Sequence, residues 1–315
     1  MTVTVMGGGV MGLCIATELN GRGIPAAILD DSPGSHACSW WAGGMLAPYC
    51  EGESAEEAVT RYGLEAADWW QAQGVPVTRN GTLVVSLSRD AGALARFARR
   101  SQGHRSLDGP GIADLEPDLG TRFSRALFFA DEAHLSPRQA LTILSERLGR
   151  IDTITGTVID CRGLSARDAL RDLRGVRGEM VVIRCPEIAL SRPVRQLHPR
   201  MPLYVVPRGD GVFMLGATML ESDRRGPPTA RAVLELLSAA FALHPAFAEA
   251  EVLELGADAR PAFPNNLPHI RRVGGVIHAN GLFRHGFLLA PAVARMVADH
   301  LQHQTRPEFM DADHD

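Results

Sequence analysis

Val5-Met-Gly-Gly-Gly-Val-Met-Gly-Leu13 sets four glycines in nine positions close to the start of the chain. The apolar run Thr2 to Val5 reads as a short strand, and Leu13, Ile15, Ala16 and Leu19 recur at helical spacing until Gly21 and Gly23 stop them. Pro25 precedes a second apolar strand, Ala26 to Leu29, which ends on Asp30 and Asp31. Strand, glycine turn, helix, strand and acid make a βαβ unit. Within it, Gly7-x-Gly9-x-x-Gly12 has dinucleotide spacing: one glycine for the tight turn, one for close approach of a pyrophosphate, one for close helix–strand packing. The helix that starts at Val10 and Met11 offers phosphates its free N–H donors and partial positive charge. Asp30, 23 positions after Gly7, stands where a carboxylate accepts hydrogen bonds from a ribose diol, with Asp31 beside it.

The 315 residues suffice for a sizeable core and, at roughly 150 residues per domain, for two domains. Lys and Arg total 32 against 36 Asp and Glu, a net charge of -4, and the basic residues are scattered. Nucleic acid and membrane surfaces are therefore not expected partners. Cys14, Cys38, Cys50, Cys161 and Cys185 are odd in number and lack C-x-x-C spacing, so they read as reduced thiols, and no metal site is predicted. The apolar first 17 residues have no preceding Lys or Arg and are interrupted by glycines, unlike a signal peptide. No later segment offers 18 unbroken apolar residues for a bilayer span. The expectation is a soluble cytoplasmic protein, with a homo-oligomer left open.

Further along, Ser39 to Pro48 (SWWAGGMLAP) is apolar, rich in small residues and without period, which predicts a loop held against other structure. A helix is expected over roughly Ala55 to Gln73. VPVTRNGTLVVSLSRD, from Val75, predicts two strands joined by a hairpin turn at Asn80-Gly81, the opening of an antiparallel region. Ser136-Pro137 starts a helix to about Leu148, and Thr153 to Asp160 returns to a strand. The chain closes with a strand Val276 to Ala279, a loop Asn280 to Gly286 and a helix from about Ala292 to Leu301, with Pro291 at its start. The predicted fold class is α/β with an α+β second domain. A Rossmann-like nucleotide-binding domain (1–75, 135–177 and 257–315) interleaves with an antiparallel-sheet substrate domain (76–134 and 178–256).

NAD and FAD share the glycine fingerprint, so the choice between them rests elsewhere. In Ala42-Gly-Gly-Met45 the missing Cβ atoms admit a flat tricyclic ring to the backbone, although a buried loop explains these residues nearly as well. Asn280-Gly-Leu-Phe-Arg-His-Gly-Phe-Leu-Leu-Ala-Pro291 feeds a helix whose N-terminus suits negative charge developing on a reduced flavin.

The glycine motif, SWWAGGMLAP, YVVPRGDGVFMLGATM, ARPAFPNNLPHI and NGLFRHGFLLAP, in that order, resemble the D-amino-acid-oxidase-like FAD-dependent oxidoreductases. Within them the similarity is closest to the glycine oxidases of thiamine biosynthesis, and it covers most of the chain. The resemblance implies that Arg260, opening Arg-Pro-Ala-Phe-Pro-Asn-Asn-Leu-Pro-His-Ile, grips the substrate carboxylate with its bidentate fork. It implies that Tyr204 closes the pocket, Met219 walls it, and Arg284 stands near substrate and flavin. Ala42, Gly43, Gly44, Met45 and Leu46 would hold the ring from one side, and Arg284, His285, Gly286, Phe287 and Leu288 from the other. Arg162 and Gly163 would face the cofactor beyond the strand that ends at Cys161.

Two departures qualify the resemblance. Full-length relatives carry an added strand and hairpin, on the adenine side, between the helix ending near Leu148 and the strand Thr157 to Cys161. Here about eight residues fill that gap, so a smaller sheet is expected. The flavin-bonding cysteine of some sarcosine-oxidising relatives has no counterpart near Arg260 to Ile270, so FAD is expected to be non-covalent. The implied activity is oxidative deamination of glycine or another small amino acid or secondary amine by hydride transfer to flavin. Oxygen would be the acceptor, giving peroxide, and the product would feed thiamine thiazole synthesis. A dehydrogenase passing electrons to a quinone or other carrier, a flavin-binding protein with impaired turnover, and an NAD-dependent enzyme stand as alternatives.

Overall fold

The strands Val3–Met6 and Ala26–Leu29 lie side by side and parallel in the computed structural model, joined by the helix Val10–Gly21. The structure describes residues 2–30, 37–120 and 122–311. Thr157–Asp160 pairs parallel on the other side of Val3–Met6, and Val276–Asn280 beyond it. Val3, Val5 and Ile159 have no exposed surface, as a parallel sheet covered on both faces demands. Gly149–Arg150 and His269–Val273 complete six strands, the last of them antiparallel. The final helix, Gly286–His303, packs on Val10–Gly21, sharing one apolar core through Val293, Val297, Leu13 and Ile15.

A second sheet has nine strands. Arg174–Arg184 runs antiparallel along Glu251–Ala262, so that Val176 faces Arg260 and Gly178 faces Asp258. Beside it, Leu203–Gly209 and Val212–Gly216 form a hairpin. One pair, Val194–Leu197 with Thr82–Ser86, is parallel in this otherwise antiparallel sheet. The helix Ala230–Leu243 buries Leu236, Ala239, Ala240 and Leu243 against one face. The chain moves back and forth between the sheets, so a Rossmann-like parallel layer and a largely antiparallel one are interleaved.

Several local expectations change. Val77–Thr78 and Thr82–Ser86 flank Asn80-Gly81 but do not pair with each other. Val77–Thr78 joins Ala133–Leu135 in a small three-stranded sheet, and Thr82–Ser86 joins the nine-stranded one. Gly81 does turn with φ +77°, yet its N–H goes to the Glu132 carbonyl at 3.0 Å. Every residue of Thr82–Ser86 is buried, so this strand needs a partner on each edge and cover on each face, which a lone hairpin cannot supply. The helix expected over Ala55 to Gln73 is two, Glu57–Gly63 and Ala66–Ala72. At Gly63 an added Cβ would lie 2.8 Å from Leu288 Cγ, so the break seats the final helix. SWWAGGMLAP opens within a short 3-10 turn, Cys38–Trp41, and contains the two-residue strand Met45–Leu46.

The final helix starts at Gly286 rather than near Ala292, with Pro291 in its interior. Proline has no N–H for the carbonyl four residues back, that of Phe287. The buried indole of Trp70 donates to that carbonyl instead, at 2.8 Å. Among the described residues no helix is long and apolar enough to cross a membrane.

Candidate active site

The N-termini of the helices Val10–Gly21 and Gly286–His303 meet at one cleft of about 710 Å³: a Cβ on Gly286 would touch Val10 Cγ1 at 3.4 Å. Two sets of first-turn N–H groups and two positive dipole ends thus converge. Each glycine of the first motif has a separate task. Gly7 turns with φ +101°, and a Cβ there would meet the Cys161 carbonyl oxygen at 2.7 Å. Gly9 is open, its nearest neighbour being Ser39 Oγ at 3.5 Å from a would-be Cβ, so a ligand can approach its backbone. Gly12 does not line the cleft; a Cβ there would come 2.0 Å from the Gly7 oxygen, which identifies it as the helix–strand contact. Asp30 lines the cleft and accepts the Gly8 N–H at 2.7 Å. Asp31 lies outside the described residues.

Arg162 and Gly163 line the same cleft. The Arg162 guanidinium is held by Asp160 at 2.7 Å and Asp168 at 3.0 Å, so it is a fixed, largely neutralised edge.

The other end is built by cross-strand register. Arg195, Tyr204 and Gly216 are successive partners across three strands. The Tyr204 ring occupies the space left by two glycines: a Cβ on Gly216 would lie 2.5 Å from its Cζ, and one on Gly43 3.0 Å from its Cε2. Burial keeps the phenol protonated, raising its pKa against the opposing pull of Arg260, Arg208 and Arg195. Arg260 lies across the Gly178 backbone, its Nη2 only 2.0 Å from where a Cβ would stand, and donates weakly to the Thr218 carbonyl at 3.5 Å. Thr218 is in turn held by Glu179, whose carboxylate accepts its hydroxyl at 3.0 Å. Among the described residues Arg260 has no carboxylate partner.

Ala42, Gly43, Gly44 and Met45 line the cleft from one side, and Arg284, His285, Gly286, Phe287 and Leu288 from the other. Leu46 does not. It is 2 % exposed and sits in the parallel-sheet core, because neighbours in a strand point to opposite faces and Met45 takes the cleft side. Met219 lines the cleft but is 58 % exposed, so it covers the rim rather than an inner wall. Arg284 is not a free cation: Nε lies 2.8 Å from Glu51 Oε2, and Nη2 donates to Ser54 Oγ at 2.7 Å.

Sequence reasoning missed Glu51, Arg195, Gly178 and Glu179, all of which line the cleft. Glu51 is buried between Arg195 at 3.1 Å, Arg284 at 2.8 Å and the His285 Nδ1 at 3.4 Å. Burial alone would raise its pKa, but Arg284, Arg195 and His285 outweigh it and bring the value down to about 2. His285 goes the other way. Burial, supplemented by Arg284, Arg195 and Arg260 against the pull of Glu51, lowers it to about 4, so the ring is neutral near pH 7. Gly178 carried a usable signal, since a glycine inside an apolar strand marks close approach; the others carried none.

A Rhizobium etli protein with the provisional name thiamine biosynthesis oxidoreductase ThiO is 52% identical to this chain, covering 98% of it and 99% of the relative. Glycine oxidase of Pseudomonas putida is 27% identical over 94% of this chain and 93% of its own. The crystal structure of glycine oxidase from Geobacillus kaustophilus has the same fold, with a TM-score of 0.81 and 22% identity over 98% of this chain and 95% of that one. The family described as DAO, FAD dependent oxidoreductase, matches residues 2–151 and 142–300. With the glycine cradle, the paired helix N-termini and these matches together, the chain belongs to the DAO family of FAD-dependent oxidoreductases.

Proposed function

We propose that this protein oxidises glycine or another small amino acid or secondary amine, with oxygen as the electron acceptor. The imine that forms either hydrolyses to an oxo acid or serves thiamine thiazole synthesis, in keeping with the name of the Rhizobium etli relative. The carrying observation is Arg260, a half-buried guanidinium in the cleft with no carboxylate partner among the described residues, seated on a glycine beside a flavin-sized cradle.

The cleft fits FAD on its own geometry. Gly7 and Gly9 leave main chain bare where a pyrophosphate would lie, with Met11 and Val10, whose N–H is held by Ser39 Oγ at 3.1 Å, beside them in the first turn; Asp30 offers a carboxylate to a ribose, and Ala42 to Met45 with Arg284 to Leu288 would hold the ring non-covalently. When bound, FAD supplies the two-electron oxidant.

The chain's own share is placement and electrostatics. Arg260 fixes the substrate carboxylate through a charge-assisted, bidentate contact. Tyr204, held in its glycine slot, limits the volume and offers a protonated hydroxyl. Arg260, Arg195 and Arg284 disfavour an ammonium and so draw the neutral amine into the chamber. Neutral His285 and buried Leu288 exclude water from the inner wall.

The test is direct. Purified protein is expected to be yellow and to release peroxide with glycine or sarcosine. Turnover with an artificial acceptor but none with oxygen would transfer the reading to a dehydrogenase. Protein that stays colourless with added FAD would remove it altogether.

A further inference from the structure

We propose that Glu51 acts as a charge filter on the substrate: by cancelling one of three guanidiniums around the Tyr204 chamber, it makes the site select one carboxylate over two. The proposal rests on the oxidase reading for its substrate class.

Glu51, Arg195, Arg260 and Arg284 all line the cleft. They also act on one another's neighbours: Arg260, Arg195 and Glu51 on the Tyr204 phenol, and all four on the His285 ring. Arg208, which acts on Tyr204 too, donates to the Gly43 and Leu135 carbonyls and does not line the cleft. Asp258 and Arg225 pair with each other at 2.7 Å, and Glu179, which also lines the cleft, is paired with the buried Arg177 behind it at 3.1 Å. Tyr204 and His285 carry no charge near neutral pH. The balance in the chamber is therefore set by three cations and Glu51.

Glu51 reaches two of those cations at once, Oε1 to Arg195 at 3.1 Å and Oε2 to Arg284 at 2.8 Å. Arg260 remains for the substrate. A second carboxylate entering the chamber meets guanidiniums already shared with Glu51 and is repelled by Glu51 itself, at the close range and low dielectric where charge counts most. Selectivity of this kind comes from a repulsive element as much as an attractive one. A purely structural tether, by contrast, would treat monoanions and dianions alike.

Acetate and malonate, which carry no amine to oxidise, are titrated onto FAD-loaded protein, with dissociation constants read from flavin absorbance. Glu51→Gln is expected to shift the acetate-to-malonate preference towards malonate by about tenfold, about 1.4 kcal/mol. Glu51→Asp should keep the wild-type ratio. Glu51→Gln combined with Arg195→Gln removes both partners, so no ion is left stranded by that pair, and the ratio should return to within about threefold of wild type. If Glu51→Gln alone does not fold, Arg195→Gln carries the test in the opposite sense, towards acetate. An unchanged ratio in the single variant, or a double variant that keeps the shift, overturns the proposal. A wild-type protein that shows this charge dependence yet oxidises no small amine would sink the oxidase reading and leave the filter standing.

Discussion

At the Gly9 end of the cleft, the surface a ligand meets is one stretch, residues 6–11, opened by its glycines and closed by Asp30. At the Tyr204 end it is side chains: Arg195, Tyr204 and Arg260, brought together by strand register across a nine-stranded sheet, and Glu51, supplied by the short helix Pro48–Glu51. The first surface is made by leaving atoms out, so an atom added at Gly7, or at Gly12 behind it, strikes backbone that cannot move. The second is made by balancing charge, so under the proposed charge filter single changes there are expected to shift selectivity before they harm the fold.

The sharpest break of that contrast lies at Gly12. Its added Cβ would stand 2.0 Å from the Gly7 oxygen, and Gly12→Ala is expected to cost about 3 kcal/mol or more, with flavin lost. Soluble yield and flavin absorbance check this; a yellow, stable variant would show that the turn has slack. Next in size, Arg260→Ala should raise KM about 100-fold while flavin content stays at wild type. Steady-state kinetics decide, and an unchanged KM removes Arg260 from the substrate.

Gly178→Ala sharpens the comparison, because the atom its Cβ meets is the far end of a side chain rather than backbone. Arg260 must swing aside, so KM should rise about tenfold with little change in Tm. A large fall in Tm would place Gly178 with Gly12 instead.

The smallest effect concerns two carboxylates near the Tyr204 end, Glu51 on the cleft surface and Glu132 behind it. Burial raises Glu132 from 4.5 to about 7, whereas Glu51 falls to about 2. A raised acid favours the protonated folded state, so the Glu132 contribution is lost as pH climbs from 4.5 through 7. Glu51 contributes above 4.5 and loses its contribution as pH falls towards 2. Glu132→Gln should therefore raise Tm above pH 7 by about 2 °C, and by nothing below pH 4.5. Thermal melts at the two pH values read the difference directly.

The same contrast explains what the sequence disclosed. The βαβ unit, Asp30 and the two glycine-rich loops were legible because each is a local pattern of backbone demand. Arg260 and Tyr204 came only through resemblance, since neither residue type at its spacing declares a carboxylate clamp. Glu51 and Arg195 were illegible: their meaning lies in a 3.1 Å contact between residues 144 positions apart. The Asn80-Gly81 hairpin failed for the same reason, a correct turn whose strands find partners far along the chain. The early start of the final helix was hidden by Pro291, whose usual place at a first turn masks an interior position rescued from outside.

That rescue has an optical consequence. Trp70 is fully buried, and its indole is bonded to the opening turn of the helix that fronts the flavin cradle. The molecule thus carries a built-in fluorophore wired to its own doorway. Loosening of that turn should appear as a red shift in emission before any loss of colour, which makes intrinsic fluorescence an early gauge of coenzyme release.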